Sequence, residues 1–218
     1  MANFLIADDH PLFREALIGA LRSQFSELSI VESDSLESTI QQIESHDDLD
    51  LVLLDLHMPG SGDLYGIIRI REDFPELPVA VISGSDQLDI ISKVMGFGAM
   101  GFISKSSSSV QIVQAINNIL EGDTWLPPGI ANQIQALSSD DLNLANRVAK
   151  LTPQQYRVLY LLHEGMLNKQ IAYELNVTEA TIKAHITAIF KKLGINNRTQ
   201  AVLLAEKLQL EPSVSSHS

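Results

Sequence analysis

Three carboxylates, one hydroxyl and one ammonium are spaced along the first half of the chain so that a single fold could bring them together. Asp8 and Asp9 follow the aliphatic run F-L-I-A at residues 4–7, and Asp55 follows the run L-V-L-L at residues 51–54. Continuous aliphatic runs of this length read as parallel strands covered on both faces. The carboxyl ends of such strands are where open α/β sheets bind ligands. Were the two strands neighbours, three carboxylates would converge at one sheet edge. Two unit charges about 5 Å apart at an effective dielectric of about 20 repel by roughly 3 kcal/mol, so such a cluster wants a cation. Oxygen donors suit a hard divalent ion, and Mg²⁺ is the usual choice where phosphate is handled. Asp55 by itself could equally cap the next loop or helix. Ser83, closing the run at residues 79–83, and Lys105, two residues after the run at 101–103, point further. Beside an Asp and a metal ion, a hydroxyl and an ammonium suit the equatorial oxygens of a transferring phosphoryl group.

The elements needed to position these groups are legible in the pattern. Short aliphatic runs at residues 4–7, 29–32, 51–54, 79–83 and 101–103 predict strands, and amphipathic stretches at 11–24, 36–45, 63–74, 88–97 and 109–121 predict helices. Alternation of this kind defines a doubly wound α/β domain with a five-stranded parallel sheet. The punctuation agrees: Pro11 suits a first helical position, Pro78 opens a strand, and Gly96 and Gly98 close a helix.

With 218 residues, 45% of them hydrophobic, and a mean hydropathy of +0.09, the chain has the composition of a soluble protein of one large or two small domains. It has no cysteine, which excludes disulfides and thiolate chemistry and suits the cytoplasm. No membrane-spanning stretch or signal segment is expected. The net charge of −12 hides an asymmetry: residues 1–150 hold 8 Lys and Arg against 22 Asp and Glu, and residues 151–218 hold 7 against 5. Charge asymmetry between halves marks two jobs in one chain. Residues 123–147 read as a partly helical linker, with a helical pattern at Ile130, Ile134 and Leu137, a polar flexible stretch at 138–141, and another helix at 142–150. Trp125 is expected to pack against a domain.

From residue 148 to 210 the pattern is helical throughout. T-P-Q-Q at residues 152–155 is a capping box with Pro at the first position. A short helix at 169–175, a turn at Asn176 and Val177, and a helix from Thr178 to Leu193 follow, the geometry that places a second helix in the DNA major groove. Ile182, Ile186, Ile189, Phe190 and Leu193 share one face, whereas Lys183, Thr187 and Lys191 lie on the other, kept slim by Ala180 and Ala184. Residues 211–218 are expected to be a disordered tail.

Two resemblances follow from these motifs. D-D at Asp8 and Asp9, L-L-D-L-H-M-P-G around Asp55, V-I-S-G around Ser83 and G-A-M-G-F-I-S-K ending at Lys105 resemble the receiver domain of two-component response regulators, over residues 3–121 of a domain bounded at 1–122. The resemblance implies a flavodoxin-like fold and Asp55 as acceptor of a phosphoryl group from a histidine kinase or a small phosphodonor. Mg²⁺ would be held by Asp8, Asp9, Asp55 and the His57 backbone carbonyl. Ser83 and Lys105 would grip the phosphoryl oxygens, with Phe102 at the aromatic switch position. Phe102 replaces the frequent Tyr, and Ser106 stands where many receivers have a cis proline, so a trans bond is expected there. Residues 148–210 resemble the LuxR-type helix-turn-helix. That implies base-edge contacts for Lys183, Ala184 and Thr187, and phosphate-side contacts for Asn168, Lys169, Thr178, Thr181, Lys191 and Arg198. Gln154 and Gln155 depart from the family's common Arg-Glu.

Together the halves resemble a NarL/FixJ-type response regulator: a transcription regulator that binds double-stranded DNA as a homodimer once phosphorylated, with RNA polymerase as a further partner and no enzymatic activity beyond its own phosphoryl transfer. An alternative is a constitutive DNA-binding regulator whose receiver only dimerises. A haloacid-dehalogenase-type phosphatase would need a second Asp two residues after the nucleophile, where this chain has His57. The charge split further suggests a closed arrangement in which the receiver masks Lys183 and Thr187.

Overall fold

The structure, a computed structural model, describes residues 2–62, 64–134 and 138–207. Five strands, β1 (Ala2–Ala7), β2 (Leu28–Ser33), β3 (Leu51–Asp55), β4 (Val79–Ser83) and β5 (Gly101–Ser104), alternate with α1 (Pro11–Arg22), α2 (Leu36–Ser45), α3 (Tyr65–Asp73), α4 (Leu88–Gly96) and α5 (Ser109–Leu120). All neighbours pair in parallel in the order β2-β1-β3-β4-β5. This is the flavodoxin-like order, and its switch point lies between β1 and β3, so Asp8, Asp9 and Asp55 emerge at the crevice where such folds bind ligands.

Strand residues alternate between two cores, as the period of two requires. Phe4, Ile6, Leu51, Leu53, Ala80 and Ile82 pack with Leu17 and Leu21 of α1 and Ile112, Ile116 and Ile119 of α5. Leu5, Ala7, Val52, Leu54, Val79 and Val81 pack with Ile43 of α2, Ile67 and Ile70 of α3, and Ile91 and Val94 of α4. Trp125 extends the sheet edge by an isolated bridge to Gly101, its N–H donating to the Met100 carbonyl and its own carbonyl accepting from the Phe102 N–H.

The linker differs from its sequence reading in two places. The stretch read as flexible instead starts a helix, α6 (Ser139–Ala149), because the Ser138 hydroxyl accepts from the Asp141 N–H as an N-cap. Residues 131–133 form turns rather than a helix, and Leu137 lies outside the described residues. Beyond α6 come α7 (Pro153–His163), α8 (Asn168–Glu174), α9 (Glu179–Leu193) and α10 (Arg198–Lys207). The capping box at Thr152 and Gln155 forms as expected. Thr152→Ala should lower unfolding stability by about 1 kcal/mol, measured from the midpoint of denaturant unfolding. Asn176 turns the chain with φ +51°, and Gly194 ends α9 at φ +66°. The expected tail at 211–218 lies outside the described residues.

The helical half does not hang free. Tyr65 of α3 and Tyr156 of α7 stack with ring centroids 4.0 Å apart and planes 11° from parallel. The Tyr65 hydroxyl donates to the Leu151 carbonyl (2.7 Å), the Tyr156 hydroxyl to the Gly62 carbonyl (2.9 Å), and Arg69 to the Ala149 carbonyl (2.8 Å). Burial pushes the Tyr65 phenol up to about 12. A raised acid keeps its full stabilising contribution below the unfolded value near 10 and loses it as pH climbs through the folded one. The absorbance titration of wild type minus that of Tyr65→Phe should therefore show a phenol that ionises well above pH 10.

Candidate functional site

The site is assembled at the carboxyl ends of four adjacent strands, β1, β3, β4 and β5. Asp55 is the last residue of β3 and is 1% exposed; Asp8 follows β1 and is 2% exposed. Lys105, just past β5, reaches across β4 so that its Nζ lies 2.7 Å from Asp8 Oδ2 and 3.0 Å from Asp55 Oδ2. The ammonium also lies 4.8 Å from the centre of the Phe13 ring, a cation–π contact that helps hold its extended stem. Ser83 is fully buried at the end of β4; its hydroxyl accepts from the Ser85 N–H at 3.2 Å. One lone pair is thereby used and the hydroxyl hydrogen stays available for a ligand. Phe102 is fully buried, its ring turned into the core shared with α4.

The electrostatics match a site built for a divalent ion and an anion. Burial raises the Asp55 carboxyl above its ordinary value, the neighbouring Lys105 ammonium opposes that, and Asp8 adds to it; the His57 N–H also donates to the carboxylate. Three carboxylates share little positive charge here: the Lys105 ammonium serves both Asp8 Oδ2 and Asp55 Oδ2, and the His10 ring faces Asp9 Oδ1 and Asp8 Oδ1. Carboxylates so crowded are costly unless further positive charge binds them. One oxygen from each of Asp8, Asp9 and Asp55 lies within 4.8 Å of the others, a span one cation can bridge, and a ring nitrogen of His10 sits in the same cluster. The donor set thus fits a hard divalent ion.

Two neighbours were not singled out by sequence. His10 places Nδ1 2.8 Å from Asp9 Oδ1 and 3.1 Å from Asp8 Oδ1. Its position directly after the acid pair was a usable signal. Arg14 bonds the Asp8 carbonyl and pairs with Glu32 at 3.0 Å, tying α1 to β1 and β2. Because His10 occupies oxygens that a metal ion would use, His10→Ala should tighten Mg²⁺ binding about 2- to 5-fold, the worth of one competing hydrogen bond, measured by titration calorimetry.

In the helical half, Lys183, Ala184, Thr187 and Lys191 are all exposed on α9, and Lys169 is exposed on α8. The receiver does not mask Lys183 and Thr187; its α3 meets α6 and α7 instead, through the stacked tyrosines and the Arg69 bond to the Ala149 carbonyl. Lys183 pairs with Glu179 at 3.0 Å, and the Thr187 hydroxyl bonds back to the Lys183 carbonyl. Thr178 caps α9 by accepting from the Thr181 N–H, and Asn168 begins α8, half-buried. Arg198 is turned inward: it donates to the Leu162 and Met166 carbonyls at 3.2 and 2.6 Å, so its charge closes the end of α7 rather than facing outward. Lys192 likewise ties α9 to Lys150 and Gln155.

A buried strand-end aspartate, an acid pair at the switch point, and a strand-end Ser and Lys beside them define a receiver domain, here joined to a helix-turn-helix unit. Residues 4–117 match the response regulator receiver domain, and residues 149–205 match the luxR family of bacterial regulatory proteins. The chain belongs to the LuxR-type DNA-binding response regulators. It is 41% identical to the glycerol metabolism activator of Pseudomonas putida over 94% of this chain and 95% of that one. With the nitrate/nitrite response regulator NarL of Escherichia coli K12 the identity is 30%, over 93% and 94% of the two chains. Among solved structures, a DNA complex of the two-component response regulator RcsB shares 25% identity and a TM-score of 0.56, covering 95% of this chain and 98% of that one.

Proposed function

We propose that the chain is a cytoplasmic transcription regulator that accepts a phosphoryl group on Asp55 from a histidine kinase or a small phosphodonor, and binds double-stranded DNA as a dimer. The observation that carries this reading is the buried Asp55 carboxylate, 3.0 Å from Lys105 and clustered with the carboxylates of Asp8 and Asp9. An Asp55 oxygen attacks the donor's phosphorus, the new O–P bond forms as the P–N bond to the kinase histidine breaks, and the pair of electrons leaves with the imidazole. Lys105 and the Ser83 hydroxyl take charge from the phosphoryl oxygens. Asp8, Asp9, Asp55 and the His57 carbonyl would hold Mg²⁺, which supplies charge neutralisation at those oxygens when bound. The chain is acceptor and product in this step and is not proposed to turn over any other substrate.

Lys183, Ala184 and Thr187 face base edges in this reading, with Lys169, Lys191, Asn168, Thr178 and Thr181 toward phosphates. RNA polymerase is a further proposed partner. The test is selection from a random duplex pool, with and without Mg²⁺ and acetyl phosphate. Paired half-sites about 10 base pairs apart should emerge, with the phosphodonor strengthening their recovery. The reading fails if no sequence is enriched under either condition. The exposed face of α9 favours one second reading, constitutive DNA binding with the receiver as a dimerisation module. Equal enrichment with and without phosphodonor would select it.

A further inference from the structure

Lys105 reaches the phosphoryl site on a long stem. Its backbone is pinned, the Lys105 N–H donating to the Ser83 carbonyl at 2.8 Å, but a flexible aliphatic chain separates that anchor from Nζ. Two carboxylates hold the ammonium itself, Asp8 Oδ2 at 2.7 Å and Asp55 Oδ2 at 3.0 Å. Both are groups that the reaction alters: Asp55 becomes the acyl phosphate, and Asp8 is among the carboxylates that would hold Mg²⁺. The Phe13 ring is a contact of another kind. Nζ lies over it, 4.8 Å from the centroid, within the range at which an aromatic quadrupole attracts an ammonium. The ring is itself well held. Phe13 is in the first turn of α1, whose start is set by Pro11, and its neighbour Arg14 donates to the Asp8 carbonyl and pairs with Glu32 at 3.0 Å. Phe13 is half-buried and packs against the core that α1 and α5 share with the sheet.

We propose that Phe13 is a positioning residue for phosphoryl transfer: its ring keeps the Lys105 ammonium where the phosphoryl oxygens arrive, while the carboxylates that held it are being altered. The role rests on the phosphoacceptor reading above. A carboxylate's grip on Lys105 depends on its charge, and Asp55 gives up that charge as its oxygen bonds to phosphorus. The attraction of the ring does not depend on it. An ammonium that stays over the ring has a short path to the new oxygens, whereas one released to solvent regains the rotamer freedom of a lysine stem and must be ordered again. A cation already in place also stabilises developing charge without reorganisation at the moment of reaction. An aliphatic side chain of similar size would fill the same space without the quadrupole, so shape and electrostatics can be separated at this position.

The test uses the full chain with Mg²⁺ and acetyl phosphate, and reads the rate of phosphoryl uptake by intact mass. Phe13 is replaced by mono-, di- and trifluorinated phenylalanine, which nearly keep the ring's shape and draw electron density from its face in steps, and separately by Leu. The uptake rate should fall stepwise along the fluorinated series and reach about 3- to 10-fold below wild type in Phe13→Leu. In a Lys105→Ala chain, where the ammonium is gone, adding Phe13→Leu should cost less than about 2-fold, so the two changes are not additive. An uptake rate that does not follow fluorination overturns the positioning role, as does a Phe13→Leu loss that persists in full without Lys105. If wild type takes up no phosphoryl group while retaining its fold, the phosphoacceptor reading falls and this inference with it.

Discussion

Asp55→Ala should eliminate phosphoryl uptake: after incubation with Mg²⁺ and acetyl phosphate, intact mass spectrometry should show a single phosphoryl adduct on wild type and none on the variant. The effect is all-or-none because no other carboxylate among the described residues shares the geometry. Asp8 is engaged by Lys105 at 2.7 Å and His10 at 3.1 Å, and Asp9 by His10 at 2.8 Å, whereas Asp55 lies at the strand end with Lys105 and Ser83 placed to receive the transferred oxygens. Removing Asp55 also removes one of the like charges crowded at the site, so the variant should fold at least as stably as wild type, and loss of the adduct cannot be ascribed to unfolding if the thermal midpoint holds or rises. An adduct on the variant equal to that on wild type would move the acceptor elsewhere. Lys105→Ala should leave Asp55 intact as acceptor yet slow the reaction by about 100-fold or more, the usual loss when a donor to a developing oxyanion is deleted.

How these residues could be read from sequence has a physical basis. Strands buried on both faces must be continuous aliphatic runs, so β1, β3 and β4 announce themselves, and polar residues at their carboxyl ends stand out against that background. Asp8, Asp9, Asp55, Ser83 and Lys105 were legible for this reason, and the structure brings Asp8, Asp55 and Lys105 into ion-pair contact. Caps were legible where the side chain and the third helical residue are both polar, as at Thr152 with Gln155. The same logic, applied to Ser138 with Asp141, would have converted a supposed flexible stretch into the start of α6.

What escaped the sequence depends on docking between distant segments. Tyr65 and Tyr156 are 91 positions apart (156 minus 65) in separately folded patterns, and each alone reads as ordinary core. Nothing in the local pattern says that the two rings meet. Arg198 escaped for a related reason. On a helical wheel it is a basic residue beside the recognition unit, but the end of α7 and the following turn present the Leu162 and Met166 carbonyls, and Arg198 donates to both, sharing Leu162 with the Gly165 N–H. Charge asymmetry suggested that the acidic half would cover the basic face of α9; the contact is instead made by stacked tyrosines and by hydrogen bonds to backbone carbonyls, one of them from Arg69.

The exposed face of α9 makes the second large prediction. Lys183→Ala should weaken binding to the selected DNA by about 5- to 150-fold per half-site, corresponding to roughly 1–3 kcal/mol for a base-directed side chain, and relax preference at one base pair. Lys191→Ala, near the end of the helix, should weaken binding to all sequences similarly and lower the slope of log affinity against log salt by about 1 for each phosphate it no longer neutralises. The two variants separate readout from attraction. Lys183 lies in the first half of α9 with the small Ala184 beside it, whereas Lys191 is in the last turn. The Glu179 partner of Lys183 is exposed and its pair is a surface one, so exchanging that carboxylate for DNA costs little. Arg198→Ala supplies the contrast. Its guanidinium holds two carbonyls inside the domain, so its removal should lower thermal stability while leaving the salt slope unchanged. A fall in slope without a fall in stability would return Arg198 to the DNA surface.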